Sequence, residues 1–194
     1  MRMSRDATAR RHDEIITAAS QMLRQRGIEG LSVVDLMQSV GLTHGGFYKH
    51  FNSKEALVAE ATSATFNVIC GEFSNVAKDQ GSAAALKAYV KYYLSADHVN
   101  TPELGCPIPA FAGEMSRAGR AVKSAFAKGY EPMLVNIAAG LACPPEKRRL
   151  RAIELLALMS GAILAARASN NPEQVVEVLS AARARAELVV NAIE

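Results

Sequence analysis

Residues 31–51 read LSVVDLMQSVGLTHGGFYKHF, and they decide the fold. The stretch holds two short helical patterns on either side of Gly41. Ser32 is an N-cap candidate, and Asp35 three residues on gives a capping box with Asp in place of Glu. The first pattern runs through Val34, Leu36 and Met37 and stops at Gly41. Thr43 is the next capping candidate, and Ser53 caps a third start. A supporting helix, a tight glycine turn and a second short helix make a helix-turn-helix. Its second helix presents N-terminal residues to the major groove of DNA.

The residue types agree with that geometry. Thr43, His44, Lys49 and His50 can all hydrogen-bond. Gly45 and Gly46 lack side chains, which lets the backbone approach a partner closely. Two glycines weaken a free helix by roughly 1 kcal/mol each, so a purely structural helix seldom carries them. Tyr48 can donate its hydroxyl to a phosphate while its ring packs inward. Lys54 follows the Ser53 cap, where helix dipole and side chain together favour a phosphate. Phe47 and Phe51, four apart, are inward anchors. Each residue alone fits an ordinary exposed polar or core aromatic position; the set, with the turn, does not.

Working outward, the charge is lopsided. The chain has a net charge of +3, and residues 1–54 carry all of it, with eight Lys/Arg against five Asp/Glu. A basic end on a neutral body is what a nucleic-acid-binding end needs, because phosphate neutralisation supplies most of the affinity. Residues 1–9 have no periodicity and read as a flexible basic arm. From residue 10 the pattern turns helical, with Ile15, Ala19, Met22 and Leu23 on one face and Gly27 and Gly30 at its end.

Downstream, Leu57, Ala61, Ala64 and Val68 continue at helical spacing, with a break expected somewhere in 71–82. Leu86, Tyr89, Val90, Tyr93 and Leu94 make another amphipathic face. Pro102, Pro107 and Pro109 mark a kinked connection. Further helices are expected over 118–141, 146–168 and 173–193, the last opened by Pro172. The reading is all-α, with about nine helices: an arm at 1–9, a helix-turn-helix domain at 10–56 with its motif at 32–51, and a second domain at 57–194.

Other function classes fare poorly. Hydrophobic residues make up 49% and charged residues 21%, an ordinary globular balance. Cys70, Cys106 and Cys143 are widely spaced, with no CxxC pair or Cys/His cluster for zinc. No apolar h-region follows the basic residues 1–12, and the longest apolar stretch, 152–166, is too short for a membrane span. A cytoplasmic protein with reduced thiols is expected. No nucleophile–base pair, phosphate loop, metal motif or paired carboxylates is visible, so neither an enzyme nor a cofactor is expected.

The run Gly41-Leu42-Thr43-His44-Gly45-Gly46-Phe47-Tyr48-Lys49-His50-Phe51, followed by Ser53-Lys54-Glu55-Ala56-Leu57, resembles the TetR family of bacterial repressors. Ser32-Val33-Val34-Asp35-Leu36 ahead of it resembles the same family. The likeness covers the N-terminal 60 or so residues; beyond them only length and helical character match. It implies that Thr43, His44, Gly45, Tyr48, Lys49 and His50 contact DNA bases or backbone, with Ser32 and Lys54 on phosphates. Met37 stands where the family usually has a small residue, which alters packing among the first helices.

For the remainder, the resemblance implies an effector pocket among the middle helices and a homodimer made by the last two, about 146–168 and 173–193. The 150–168 helix is apolar almost all round (Ile153, Leu155, Leu156, Met159, Ile163, Leu164), so it must be buried. A two-fold copy or an ordinary core would each satisfy that. Phe66, Tyr89, Tyr93, Phe111, Phe126 and Tyr130 are the pocket candidates, with Cys70, Phe73 and Met115 beside them. Cys106 sits between Gly105 and Pro107 near a helix start, which lowers a thiol's pKa. It is therefore a candidate sensor of electrophiles or oxidants, and equally a small buried cysteine. The expected function is a repressor released from a palindromic operator by a small apolar or electrophilic effector. A non-specific architectural DNA binder, or an enzyme with an accessory DNA-binding domain, stays open as an alternative.

Overall fold

The computed structural model describes residues 5–193, which fold into helices and turns with no strand. The helices are α1 (Arg5–Arg26), α2 (Val33–Ser39), α3 (Lys54–Gln80), α4 (Ser82–Tyr93), α5 (Ala96–Asn100), α6 (Pro107–Phe111), α7 (Arg120–Gly140), α8 (Pro145–Ala168) and α9 (Pro172–Asn191). Three 3-10 turns, His44–Lys49, Pro102–Leu104 and Ala112–Glu114, complete the order.

The arm expected at residues 1–9 is corrected where it can be seen. Helix α1 already runs from Arg5, and residues 1–4 of the expected arm lie outside the described residues. The break expected within 71–82 falls at its very end. Helix α3 passes Gly71 without interruption, and Gly81 at φ +87° turns the chain into α4. Gly71 is outweighed because α3 packs along α7 for much of its length. There the missing Cβ of Gly129 leaves room for the Phe66 ring.

Side-chain caps open α2, α3, α5 and α9. Ser32 Oγ accepts the Asp35 N–H at 3.2 Å, and Ser53 Oγ accepts the Ala56 N–H at 3.1 Å. Each such cap is worth about 1 kcal/mol. Thr43 is not a side-chain cap: its hydroxyl makes no such bond, and the segment after it winds as a 3-10 turn instead of an α-helix. Helix α2 ends in a Schellman motif. Gly41, at φ +71°, gives its N–H to Gln38 O at 3.0 Å, and Leu42 gives its N–H to Met37 O at 2.8 Å.

Two apolar cores result. The first joins Ile15, Ala19 and Leu23 of α1 to Leu36, Met37, Phe47 and Phe51 and to the first turns of α3. Phe111 and Val122 from beyond the turn also enter it. The second gathers Leu86, Tyr93, Leu134, Ile137, Leu155, Met159 and Ile163 from α4, α7 and α8, with Leu179 and Ala186 of α9. Helix α3 belongs to both, so the boundary expected at 56/57 falls inside one continuous helix.

The expectation that α8 is buried on every side holds for only part of its surface within one chain. Leu155, Leu156, Met159 and Ile163 are buried, while Leu150 (61%), Ile153 (38%) and Leu164 (52%) are exposed. Among the described residues no helix is long and apolar enough to cross a membrane.

Candidate nucleic-acid interface and ligand cavity

Phe47 and Phe51, both buried, stack at 5.5 Å and anchor the 3-10 turn to the first core. With those two rings inward, the turn's other side chains point out. Thr43, His44, Gly45, Tyr48 and Lys49 are all exposed. Tyr48 is 66% exposed, its ring edge-on to Phe47 and His44. His50 and Lys54 are half-exposed at the rim, as is Ser32, whose hydroxyl is engaged in its cap.

The glycines of this turn have no internal cause. Gly45 carries no positive φ, and a Cβ built on it would meet nothing within 4 Å. At Gly46 the nearest atom to such a Cβ is Met37 Cε at 3.7 Å, an ordinary contact. Met37 itself is fully buried beneath the turn. The helical cost of Gly45 is therefore incurred without any gain inside the chain.

The ground beside the turn is cationic. His50 is held below its usual pKa first by desolvation, then by His12, Lys49 and Arg11 around it. His12 stacks on Phe51 at 4.7 Å and pairs with Glu60, which fixes it beside His50. An array of donors and positive charge on one outward face suits a polyanion.

A second feature lies behind this face. A cavity of about 550 Å³ opens between α1, α3, α4 and the segment 104–106. Tyr89, Tyr93 and Cys106, three of the pocket candidates, line it together with Phe73. The others do not. Phe66 packs edge-on to Phe126 at 5.3 Å, Phe126 stacks on Tyr130 at 6.3 Å, and Phe111 sits in the first core. These rings are packing, filled by one another. Cys70 borders a small neighbouring void, with Met133.

Residues that sequence reasoning missed form the opposite wall. Ile16, Ser20 and Arg24 of α1, spaced four apart, face this cavity, as do Thr17 and Gln21. A polar pair, Ser20 and Arg24, in register with an apolar face was the signal available. Arg24 Nε donates to Ser20 O at 3.1 Å, and Nη1 donates to Gly105 O at 3.2 Å.

The expectation of a reactive Cys106 is corrected. It does precede α6, but it is 3% exposed, and burial pushes its thiol up to about 11. A five-residue helix offers little dipole, and desolvation outweighs it. The thiol is therefore protonated at neutral pH. Next to it the His98 ring is fully committed. Its Nε2 accepts the Cys106 N–H at 3.0 Å, so Nδ1 carries the proton and donates to Tyr93 O at 2.7 Å.

Comparison with known proteins bears on the first of these features. Residues 15–61 match the model of bacterial regulatory proteins, tetR family. The HTH-type transcriptional repressor KstR2 of Mycolicibacterium smegmatis is 32% identical over 68 residues, covering 35% of this chain and 33% of that protein. The chain therefore aligns with only about a third of that relative's length. The HTH-type transcriptional repressor DhaR of Mycobacterium sp. (strain GP1) is 25% identical over 174 residues, covering 86% of this chain and 87% of its own. Among solved structures, a TetR transcriptional regulator from Legionella pneumophila superposes with a TM-score of 0.79 at 17% identity. That match covers 98% of this chain and all of the other. It shows that the all-helical fold extends over the whole molecule. Residues 15–61 are thus similar to the DNA-binding region of the bacterial regulatory proteins of the tetR family, and the likeness of the remaining residues is one of fold.

Proposed function

We propose that this protein is a DNA-binding transcriptional regulator, acting as a repressor that leaves a palindromic operator when a small molecule occupies its cavity. One observation carries the DNA part: the exposed 3-10 turn holds Gly45 with no internal reason for a glycine, flanked by outward Thr43, His44, Tyr48 and Lys49. A backbone cleared of Cβ atoms there is useful only to something that approaches from outside. The likeness of parts of this chain to the repressors KstR2 and DhaR supports the same reading.

In this proposal Thr43, His44, Gly45 and His50 face base edges, while Tyr48, Lys49, Lys54 and Ser32 face phosphates. Two copies are needed to read a palindrome. The uncovered apolar stripe of α8 (Leu150, Ile153, Leu164), together with exposed Val176 and Leu188 on α9, supports a homodimer through these helices. Half-sites would then lie roughly 34–36 Å apart or a multiple of it.

The test is DNA affinity across a salt series, on a palindrome found beside the coding region and on a scrambled duplex. The palindrome should bind at least about 1,000-fold more tightly. Lys49→Ala should weaken both duplexes alike and reduce the slope of log affinity against log salt by about one. Equal affinity for the two duplexes would instead favour a non-specific architectural protein.

A further inference from the structure

The cavity behind α1 has a defined chemistry. Its inner wall is aromatic: Phe73 lies edge-on to Tyr89 at 6.0 Å, and Tyr89 edge-on to Tyr93 at 5.5 Å. Tyr92 stands at the opening, 44% exposed. The rings bound a space of about 550 Å³, within the range of small-molecule sites. The exposed faces and edges of these rings offer an aromatic guest the edge-to-face and offset contacts that aromatic pairs prefer.

The facing wall carries a single cation. Arg24 is half-buried, and among the ion pairs of the described residues it has none. Two of its donors go to neutral carbonyls, Ser20 O and Gly105 O. Burial lowers its pKa and outweighs the opposing pull of Tyr92, Cys106, Glu103 and Glu72, none of which forms an ion pair with it. The other charged group in the lining, Glu72, is exposed. His98 has both ring nitrogens occupied, and the Cys106 thiol is neutral.

We infer that this cavity binds an aromatic monocarboxylate, with the ring among Phe73, Tyr89 and Tyr93 and the carboxylate on Arg24. A carboxylate would supply the charge Arg24 lacks, in a site where the Coulomb attraction is strengthened by low dielectric. The tyrosine ring faces would also attract a cation, but Arg24 would repel it.

The consequence for DNA rests on the regulator reading above. Arg24 belongs to α1, which packs under the DNA-facing turn, and Gly105 belongs to the body. An incoming carboxylate competes with Gly105 O for the same guanidinium. The ligand therefore exchanges an α1–body contact for an α1–ligand contact, and shifts α1 relative to the body. This is differential binding to two arrangements, the requirement for allostery.

The experiment compares 2-naphthoate with two neighbours of the same shape, uncharged 2-naphthamide and cationic 2-naphthylmethylamine. Binding to the full-length protein is measured by calorimetry. Naphthoate should bind at least about 10-fold more tightly than either. Arg24→Gln should lose roughly the same factor, and Arg24→Lys should retain part of it. Arg24→Gln also removes the Gly105 contact, so Val68→Trp, at an exposed lining position, provides a second test by filling the opening. It should weaken naphthoate without lowering the melting temperature. Amide or amine binding equal to naphthoate, no binding by any of the three, or undiminished binding in Val68→Trp would each overturn the assignment. Operator affinity without ligand is measured in parallel. Selective DNA binding with no naphthoate effect defeats this inference alone, whereas naphthoate binding without selective DNA binding defeats the regulator reading alone.

Discussion

Glu114 holds the end of α1 from across the molecule. Both of its carboxylate oxygens accept the Ile28 N–H at 3.0 Å, and Oε2 also accepts the Glu29 N–H at 3.1 Å. The preceding Gly27 is at φ +74°, and a Cβ there would collide with the same carboxylate. Position 27 is thus glycine for two reasons at once. A mirror arrangement runs the other way. Glu55, in the first turn of α3, accepts the Ala121 N–H at 3.2 Å at the start of α7, where Gly119 leaves room for it. Two carboxylates therefore tie the helix-turn-helix end to the rest of the chain.

Removing the first tie should be measurable. Glu114→Ala is expected to lower unfolding free energy by about 1–2 kcal/mol, the scale of hydrogen bonds to a charged acceptor at a partly exposed site. Glu114→Gln keeps an acceptor and should fall between. Gly27→Ala should cost at least as much, since a left-handed residue with a Cβ adds roughly 1–2 kcal/mol of its own. Urea titrations decide it: an unchanged midpoint for Glu114→Ala would mean the contact is incidental.

Gly41 sets the angle between α2 and the turn that follows. Its Schellman bonds need the positive φ, so Gly41→Ala should destabilise the protein by about 1 kcal/mol. Because the strain sits two residues before Thr43, operator affinity should fall more than stability predicts. Comparing the substituted protein with Gly71→Ala, a helical glycine with open space around it, separates the two effects. That control should be neutral or stabilising by up to about 1 kcal/mol and bind DNA normally.

The parts legible in the sequence are those whose cause is local. Ser32, Gly41 and Ser53 act within three or four residues of themselves, and Phe47 and Phe51 face inward through helical spacing alone. What stayed hidden depends on partners far along the chain. Cys106 looks activated beside Pro107, but α4 and the segment around it desolvate the thiol, which no local pattern encodes. Phe66, Phe126 and Tyr130 look like pocket aromatics until α3 meets α7 and they fill each other's space. Arg24 stands four residues from Ser20 on α1, but only the tertiary fold turns it into the wall of a cavity.

His98 gives the protein a defined acid limit. Its ring is buried, and burial holds its pKa at about 4, against 6.5 when exposed. Between these values the unfolded chain binds a proton that the folded chain refuses, so stability falls as pH drops from 6.5 to 4 and then levels off for this group. The loss is on the order of 3 kcal/mol across that window. His98→Gln can still accept from Cys106 and donate to Tyr93 but cannot titrate. Denaturation midpoints for this variant should be flatter over pH 4–6.5, and a curve parallel to the original would show that other groups set the acid limit.

The apolar stripe on α8 predicts how oligomeric state and DNA binding separate. Leu164 is 52% exposed and Leu188 of α9 is 64% exposed, while Gly161 between the stripe positions has open space above it. If a second copy covers this face, Leu164→Glu puts a charge into a buried apolar contact and should raise the dimer dissociation constant by at least about 100-fold. The folded chain itself should be nearly unaffected, since the site is open in one copy. Sedimentation at micromolar concentration should then show monomer, with melting unchanged at high dilution. Affinity for a single half-site should persist, because the turn at 44–49 is remote from α8. Affinity for the full palindrome should collapse toward that half-site value. A Leu164→Glu protein that sediments as a dimer would place the interface elsewhere and leave the stripe for another partner.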